Sequence, residues 1–370
     1  MTYSLADLSQ SVFHSLGLTN TRDPLSLGES PAQRECILLV DGLGMNAIEN
    51  YSALPIINQL KLRMELSANF PSTTATSLAT LGTGELPGVH GMLGYTVRVP
   101  RSGEPGRLLN ALRWDERVDP VMWQRVPTLF ERAVKEEISV SHVAAKRYEA
   151  TGFTQAALRG ASYRGANVLD ELIVETVQAL SKERSFCYLY INDVDDSSHS
   201  DGMGSEKWHL AMKKTNDLIT RLLTELPHGT RLWITADHGM VNRNDAVVIG
   251  KENDLLTDVT LLGGEPRARH IYVRHGAETD VKNRWQEFFG KKAEILTKSE
   301  AVARGYFGSV VTEDSLDRLG DVIAIPHGEL VLIEPEKEKQ QLAMVGHHGG
   351  ITDSEVRIPL FSNSSKIFQI

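Results

Sequence analysis

Short apolar runs recur along the chain between amphipathic stretches, and this alternation predicts an α/β fold: a mainly parallel sheet with helices on both faces. Four runs read as strands: residues 36–40 (CILLV), 140–145 (VSHVAA), 186–191 (FCYLYI) and 232–235 (LWIT). Most are continuous rather than alternating, the pattern of strands buried on both faces. Between the last two, Ser205 can cap a helix whose apolar stripe is Trp208, Met212, Ile219, Leu222, Leu223 and Leu226; the stripe follows the helical repeat of threes and fours. From about residue 241 to 344 the texture changes to HIYVR, to VIAIPHGELVLIE with a turn at His327 and Gly328, and to charged stretches such as EPEKEKQ. The reading is one domain over residues 1–370 with a smaller inserted α+β subdomain at about 241–344. No internal repeat or low-complexity segment interrupts it.

Composition narrows the function classes. With 370 residues, 41% hydrophobic and 24% charged, the chain has ample material for a large core. A formal charge of -9 gives no long-range attraction for nucleic acid or anionic membrane. An anionic substrate would therefore need local positive charge, which bound metal could supply. The first 18 residues have no basic stretch ahead of an apolar core and include Asp7, so a cleaved secretory signal is not expected. No segment approaches the roughly 18 apolar residues of a membrane span. Cys36 and Cys187, the only cysteines, lie in strand-like runs and read as two reduced core thiols. The expectation is a cytoplasmic protein.

The chemistry-bearing residues follow the strands. Asp41 ends the run CILLVDGLG, Asp195 and His199 follow FCYLYI, and Asp237 and His238 follow LWITA. In an open parallel sheet these strand ends share one edge, where ligands bind. Singly, an Asp before Gly is more often a turn residue; the recurrence is what carries weight. Asp and His together are the donor set of zinc or a similar ion, and three protein ligands leave a position open for water or substrate. The number present suffices for two ions. Asp195 and His199, four residues apart, can face one ion, with a third ligand from residues 346–350 (GHHGG); the alternative for that motif is a Gly-rich turn with solvent-facing histidines. Residues 69–84 (NFPSTTATSLATLGTG) run on into ELPGVHG. Pro71 and Ser72 suit an extended entry, and the small residues after Thr74 suit a helix packed tightly on the sheet. A hydroxyl at that helix start would have backbone N–H groups beside it for a phosphate, and a divalent cation can make it a nucleophile. The competing reading is a Ser/Thr-rich cap.

The five pieces VDGLG, FPSTTATSLATLGTGELPGVHG, DVDDSSH, TADHGM and GHHGG, in this order, resemble the alkaline phosphatase superfamily and, within it, the nucleotide pyrophosphatase/phosphodiesterase branch. The likeness spans residues 37 to about 359. It implies an alkaline phosphatase-like catalytic domain that hydrolyses a small-molecule phosphate ester, a nucleotide among the candidates, through a phospho-threonine intermediate. The superfamily nucleophile stands ten residues before the Gly of a Thr-Gly pair, and counting back from Gly84 gives Thr74; Thr73 is the runner-up. By the same resemblance Asp41, Thr74, Asp237 and His238 hold one divalent ion, and Asp195, His199 and His348 the other. Zinc is the first expectation and manganese the second. His347 and Asp196 are the alternates for His348 and Asp195. Three departures stand out: Ser198 replaces a Gly, Asn69 occupies the position before Phe-Pro where nucleotide pyrophosphatases carry threonine, and Tyr95 replaces an Asn that contacts a phosphate oxygen. Tyr95 can still donate a hydrogen bond there. The Cys/Ser-x-Pro-x-Arg signature of sulfatases is absent. A phosphomonoesterase or phosphonate hydrolase is the alternative; a phosphomutase or a non-catalytic metal-binding protein ranks below these.

Overall fold

The computed structural model describes residues 2–27, 32–334 and 338–363. Residues 335–337 of the charged stretch EPEKEKQ lie outside the described residues. Seven strands form the central sheet in the spatial order Lys61–Ser67, Arg357–Ser362, Thr230–Thr235, Arg34–Val40, Ser185–Ile191, Ser139–Ala144 and Ser162–Gly165. Only Arg357–Ser362 runs against the others. The register aligns Val40 with Ile191 and Leu39 with Thr235, so three strands end together. Cys36 and Cys187 lie opposite each other, buried and unbridged. The strands Arg34–Val40, Ser185–Ile191 and Thr230–Thr235 are buried almost throughout, which explains their unbroken apolar runs.

These strands begin earlier than their apolar runs, and a charged pair is the reason. Glu35 and Arg231 are register partners in adjacent strands. The Glu35 carboxylate takes hydrogen bonds from Arg231, from Trp233 Nε1 at 2.7 Å and from Ser15 Oγ at 2.6 Å. Paired in this way, both charges can be buried in strands.

Helix Glu206–Glu225 covers the sheet with Trp208, Met212, Ile219 and Leu222 buried, and Ser205 Oγ accepts from Trp208 N at 3.2 Å. Leu223 and Leu226 are only partly buried. A helix that hydrophobic periodicity does not reveal, Leu5–Ser15, buries Ser9, Gln10 and Ser11 along with Leu8, Val12 and Phe13, so its stripe is masked by polar residues. Gln10 Nε2 donates to the Gly84 carbonyl at 3.3 Å, tying this helix to the end of helix Thr74–Thr83.

Between Thr230–Thr235 and Arg357–Ser362 the chain forms an antiparallel sheet ordered Val259–Glu265, Ala268–Val273, Val322–Pro326, Ala293–Thr297. It has its own apolar cluster around Ile271, Trp285, Phe289 and Val322. The turn at Gly328 lies between two strands that do not pair with each other: Val322–Pro326 belongs to this sheet, while Leu330–Ile333 runs parallel to Asp245–Val248. No helix among the described residues is long and apolar enough to cross a membrane.

Candidate active site

The aligned strand ends deliver the acidic residues. Asp41 follows Arg34–Val40 and Asp237 follows Thr230–Thr235. The Asp237 Oδ1 accepts from Gly42 N at 3.1 Å and His238 N at 3.0 Å, locking the two strand ends together. Glycine is required after His238, because a Cβ on Gly239 would sit 2.0 Å from the Ser354 carbonyl. Thr74 is the first residue of helix Thr74–Thr83. Its Oγ1 lies 3.2 Å from His238 Nε2 and 3.5 Å from Asp41 Oδ2. The close seat of that helix needs Gly82, where a Cβ would meet the Ala157 carbonyl at 2.1 Å. Ser77 Oγ donates to the Asp237 carbonyl at 2.8 Å and adds a second tether.

Asp195 and His199 lie one turn apart on helix Asp193–Asp201, with Nε2 and Oδ2 3.4 Å apart. His199 Nδ1 faces the Gly346 carbonyl at 2.8 Å, and His348 Nδ1 faces the Ser72 carbonyl at 3.0 Å. A carbonyl partner places the proton on Nδ1, which leaves each Nε2 free as a metal donor. The His348 ring stacks on His238 at 3.7 Å, and its Nε2 is 3.9 Å from Asp195 Oδ1.

Two groups result: Asp41, Asp237 and His238, and Asp195, His199 and His348, with the candidate ligand atoms of each within 4.8 Å of one another. Asp41 Oδ1, Asp195 Oδ1 and Asp237 Oδ2 are buried without a hydrogen-bond partner. Burial pushes the Asp41 carboxyl well above its usual range, and the neighbouring Asp237 and Asp195 push it further. Burial likewise raises Asp195. It lowers His348 well below the ordinary imidazole range, with the adjacent His238 adding to the effect. Carboxylates crowded together with unmet lone pairs, beside imidazole nitrogens, are the donor set of a divalent cation. Each group therefore has the donor types that fit a divalent cation.

The alternates Thr73, Asp196 and His347 border the same cleft as Thr74, Asp195 and His348, and Asp196 and His347 belong to neither candidate ligand group. His347 turns its Nε2 to the Met344 carbonyl at 3.3 Å, and burial lowers it to about 3. Asp196 is exposed and takes a hydrogen bond from Asn192 Nδ2 at 3.0 Å. Thr73 is the residue before the helix, with no side-chain capping bond. Ser198 is buried and gives its hydroxyl to the Val194 carbonyl at 2.7 Å. Tyr95 lines a cleft shared with Thr74, Asp195 and His348; its backbone N–H donates to Glu265 Oε2 at 2.7 Å. Tyr190 and Glu265 were not picked out from sequence. The Tyr190 hydroxyl donates to Asp41 Oδ2, and Glu265, from the inserted sheet, lines the Tyr95 cleft. A tyrosine near the end of a fully buried strand was a usable signal; Glu265 sits in no motif.

The family profile described as type I phosphodiesterase / nucleotide pyrophosphatase matches residues 36–351. No curated protein matches the chain significantly. Among solved structures, murine ectonucleotide pyrophosphatase/phosphodiesterase 5 is similar with a TM-score of 0.69 at 14% identity, over 89% of this chain and 88% of that one. The human protein of the same name gives 0.68 at 15% identity, over 89% and 87%. Phosphonoacetate hydrolase from Sinorhizobium meliloti 1021 gives 0.65 at 16% identity, over 90% and 91%. At such identities the likeness is one of fold, whereas the profile covers most of the sequence, the strand-end acids and the GHHGG loop included. The chain belongs to the type I phosphodiesterase / nucleotide pyrophosphatase family, within the alkaline phosphatase superfamily.

Proposed function

We propose that this protein is a two-metal phosphodiesterase or nucleotide pyrophosphatase that works through Thr74. The observation that carries the reading is the Thr74 hydroxyl at a helix N-terminus, 3.2 Å from His238 Nε2 and 3.5 Å from Asp41 Oδ2. Asp41, Asp237 and His238 would hold one ion and Asp195, His199 and His348 the other, zinc being the first choice and manganese the second. When bound, such ions lower the pKa of a coordinated hydroxyl or water and neutralise charge on the phosphoryl oxygens. Thr74 Oγ1 attacks phosphorus, the ester bond to the departing oxygen breaks, and phospho-threonine forms. Water then attacks that phosphorus, returning the Thr74 hydroxyl and releasing the phosphoryl product. The unpaired N–H groups in the first turn of helix Thr74–Thr83 face the phosphoryl oxygens, and the Tyr95 hydroxyl donates to one of them.

Two relatives in fold support a small phosphoryl substrate. The murine protein was also solved as an inactive threonine-to-alanine variant in complex with AMP. The Sinorhizobium enzyme was solved with phosphonoformate and with phosphonoacetate, which makes phosphonate hydrolysis the second reading. A side-by-side assay of the metal-loaded protein on a nitrophenyl phosphodiester, a nitrophenyl phosphomonoester and phosphonoacetate separates the readings. Faster turnover of the diester is expected. A preference for the monoester or the phosphonate moves the assignment to that class, and no turnover of any of the three overturns the hydrolase.

A further inference from the structure

The inserted strand Val259–Glu265 ends at the cleft that holds Thr74, Asp195 and His348, and Tyr95 lines that cleft from the catalytic domain. Three hydrogen bonds tie the residues around Tyr95 to the insert. Thr96 Oγ1 donates to the Gly264 carbonyl at 2.8 Å. His270, whose Nδ1 accepts from Gly320 N at 3.1 Å, donates from Nε2 to the Leu93 carbonyl at 2.9 Å. Between them, Tyr95 N donates to Glu265 Oε2 at 2.7 Å.

The middle bond is the costly one. Glu265 is 5% exposed and its Oε1 has no hydrogen-bond partner. Burying a carboxyl to meet one backbone N–H is a poor way to fasten two segments, and the flanking Thr96 and His270 bonds already fasten them. What Glu265 adds is local. Gly94, at φ 141°, leaves the backbone just before Tyr95 a wide choice of conformations. A Cβ at Gly94 would lie 3.3 Å from Glu265 Oε2, and one at Gly349 would lie 2.7 Å from Glu265 Cγ. The Glu265 side chain is thus packed between the Tyr95 segment and the loop that carries His348, and its bond to Tyr95 N fixes where the tyrosine side chain starts.

We propose that Glu265 is a positioning residue for the reaction: by holding the Tyr95 backbone it aims the Tyr95 hydroxyl at the phosphoryl group, so that the inserted subdomain acts in catalysis through Tyr95. This rests on the hydrolase reading above, in which Tyr95 donates to a phosphoryl oxygen, and deepens it by naming the residue that places that donor.

The test is a double-mutant cycle on the zinc-loaded protein with Glu265→Leu and Tyr95→Phe. Each variant is measured for kcat and KM on the nitrophenyl diester, for zinc content, and by calorimetry for affinity to orthovanadate, an analogue of the five-coordinate phosphorus of the attack. Tyr95→Phe should lower kcat and vanadate affinity about tenfold, the size of one hydrogen bond. Glu265→Leu should lower both by a similar factor, with KM and zinc content little changed. Added to Tyr95→Phe, it should cost less than about twofold more, because the hydroxyl it aims is already gone. Glu265→Gln, whose side-chain carbonyl can still accept from Tyr95 N, should recover most of both losses. Glu265→Asp, one methylene short of Tyr95 N, takes the place of Glu265→Leu in the cycle if the leucine variant does not fold. Losses that multiply in the double variant overturn the proposal. So does a Tyr95→Phe protein with unaltered kcat and vanadate affinity, which leaves Glu265 nothing to aim, and so does loss of zinc in Glu265→Leu, which assigns the residue to the His348 loop instead. The expected vanadate cycle without turnover of any ester would count against the hydrolase reading alone, whereas turnover with a flat cycle would count against this inference alone.

Discussion

The Thr74 and Thr73 hydroxyls are one position apart yet differ in surroundings. Thr74 Oγ1 reaches His238 and Asp41, while Thr73 precedes the helix and makes no side-chain capping bond. Thr74→Ala should lower kcat on the nitrophenyl diester by on the order of a thousandfold or more, with ion content unchanged. Thr74→Ser should keep a measurable part of the rate, since the hydroxyl remains and only the methyl that restricts its rotamer is lost. Thr73→Ala should stay within about tenfold of the unaltered rate and cost less than the roughly 1 kcal/mol of a working cap. An inactive Thr73→Ala beside an active Thr74→Ala would move the nucleophile by one residue. Glu265 supports a prediction about pH. Burial pushes its carboxyl up to about 8, against a hydrogen bond from Tyr95 N–H. The unfolded chain loses this proton near the ordinary glutamate value of 4.5, while the folded chain keeps it to about 8. The folded state thus binds more protons across that window, and stability falls as pH rises through it, by up to about 1.4 kcal/mol per unit. Glu265→Gln has no proton to lose. Relative to the unaltered protein, its melting temperature in chelator should rise between pH 5 and pH 8, and a constant difference would remove Glu265 from the account.

Among the elements, the buried parallel strands were readable because burial on both faces leaves an unbroken apolar run. Their first residues were not, because Glu35 and Arg231 look like strand breakers until the register pairs them. Helix Leu5–Ser15 was hidden by its buried serines and glutamine. The loop at residues 346–350 was readable as a motif, but what holds it was not. Ser72 Oγ donates to the Gly350 carbonyl at 2.8 Å, and Glu355 accepts from Gly350 N at 2.8 Å. Arg267, from the inserted segment, binds the Glu355 carboxylate through Nε at 2.9 Å and Nη2 at 2.8 Å, with both side chains fully buried. Neither Arg267 nor Glu355 lies in a motif, and their meaning appears only when residues 88 positions apart are joined. Arg267→Met should strand a buried carboxylate at a cost of about 3–5 kcal/mol and loosen the loop that carries His348. A lower melting temperature and faster loss of zinc on dialysis are the expected readings; an unchanged protein by both measures would show that the pair does not hold the loop.

At the scale of the molecule, a chain with a formal charge of -9 gathers Asp41, Asp195 and Asp237 at one sheet edge and leaves an oxygen of each without a hydrogen-bond partner. Their proximity could be argued from sequence because each follows a buried run in a parallel sheet, which sends strand ends to one edge whatever the strand order. The order itself and the antiparallel strand Arg357–Ser362 depend on long connections that periodicity does not encode. Such an edge should be unstable until cations bind. Elemental analysis after reconstitution should find close to two divalent ions per chain, and fewer than one would exclude the two-metal reading. Chelation should lower the melting temperature, since ions at a hundred times their Kd stabilise the folded state by about 2.7 kcal/mol per site. Asp41→Asn separates the ligand role from a structural one. It removes one member of a like-charged cluster while keeping an acceptor for the Tyr190 hydroxyl. In chelator this variant should therefore be at least as stable as the unaltered protein. In excess zinc the order should reverse, because the variant has lost a charged ligand and with it most of the gain from binding, and its turnover should be abolished. An Asp41→Asn protein that is weaker in chelator and gains as much from zinc as the unaltered chain would make Asp41 a structural carboxylate.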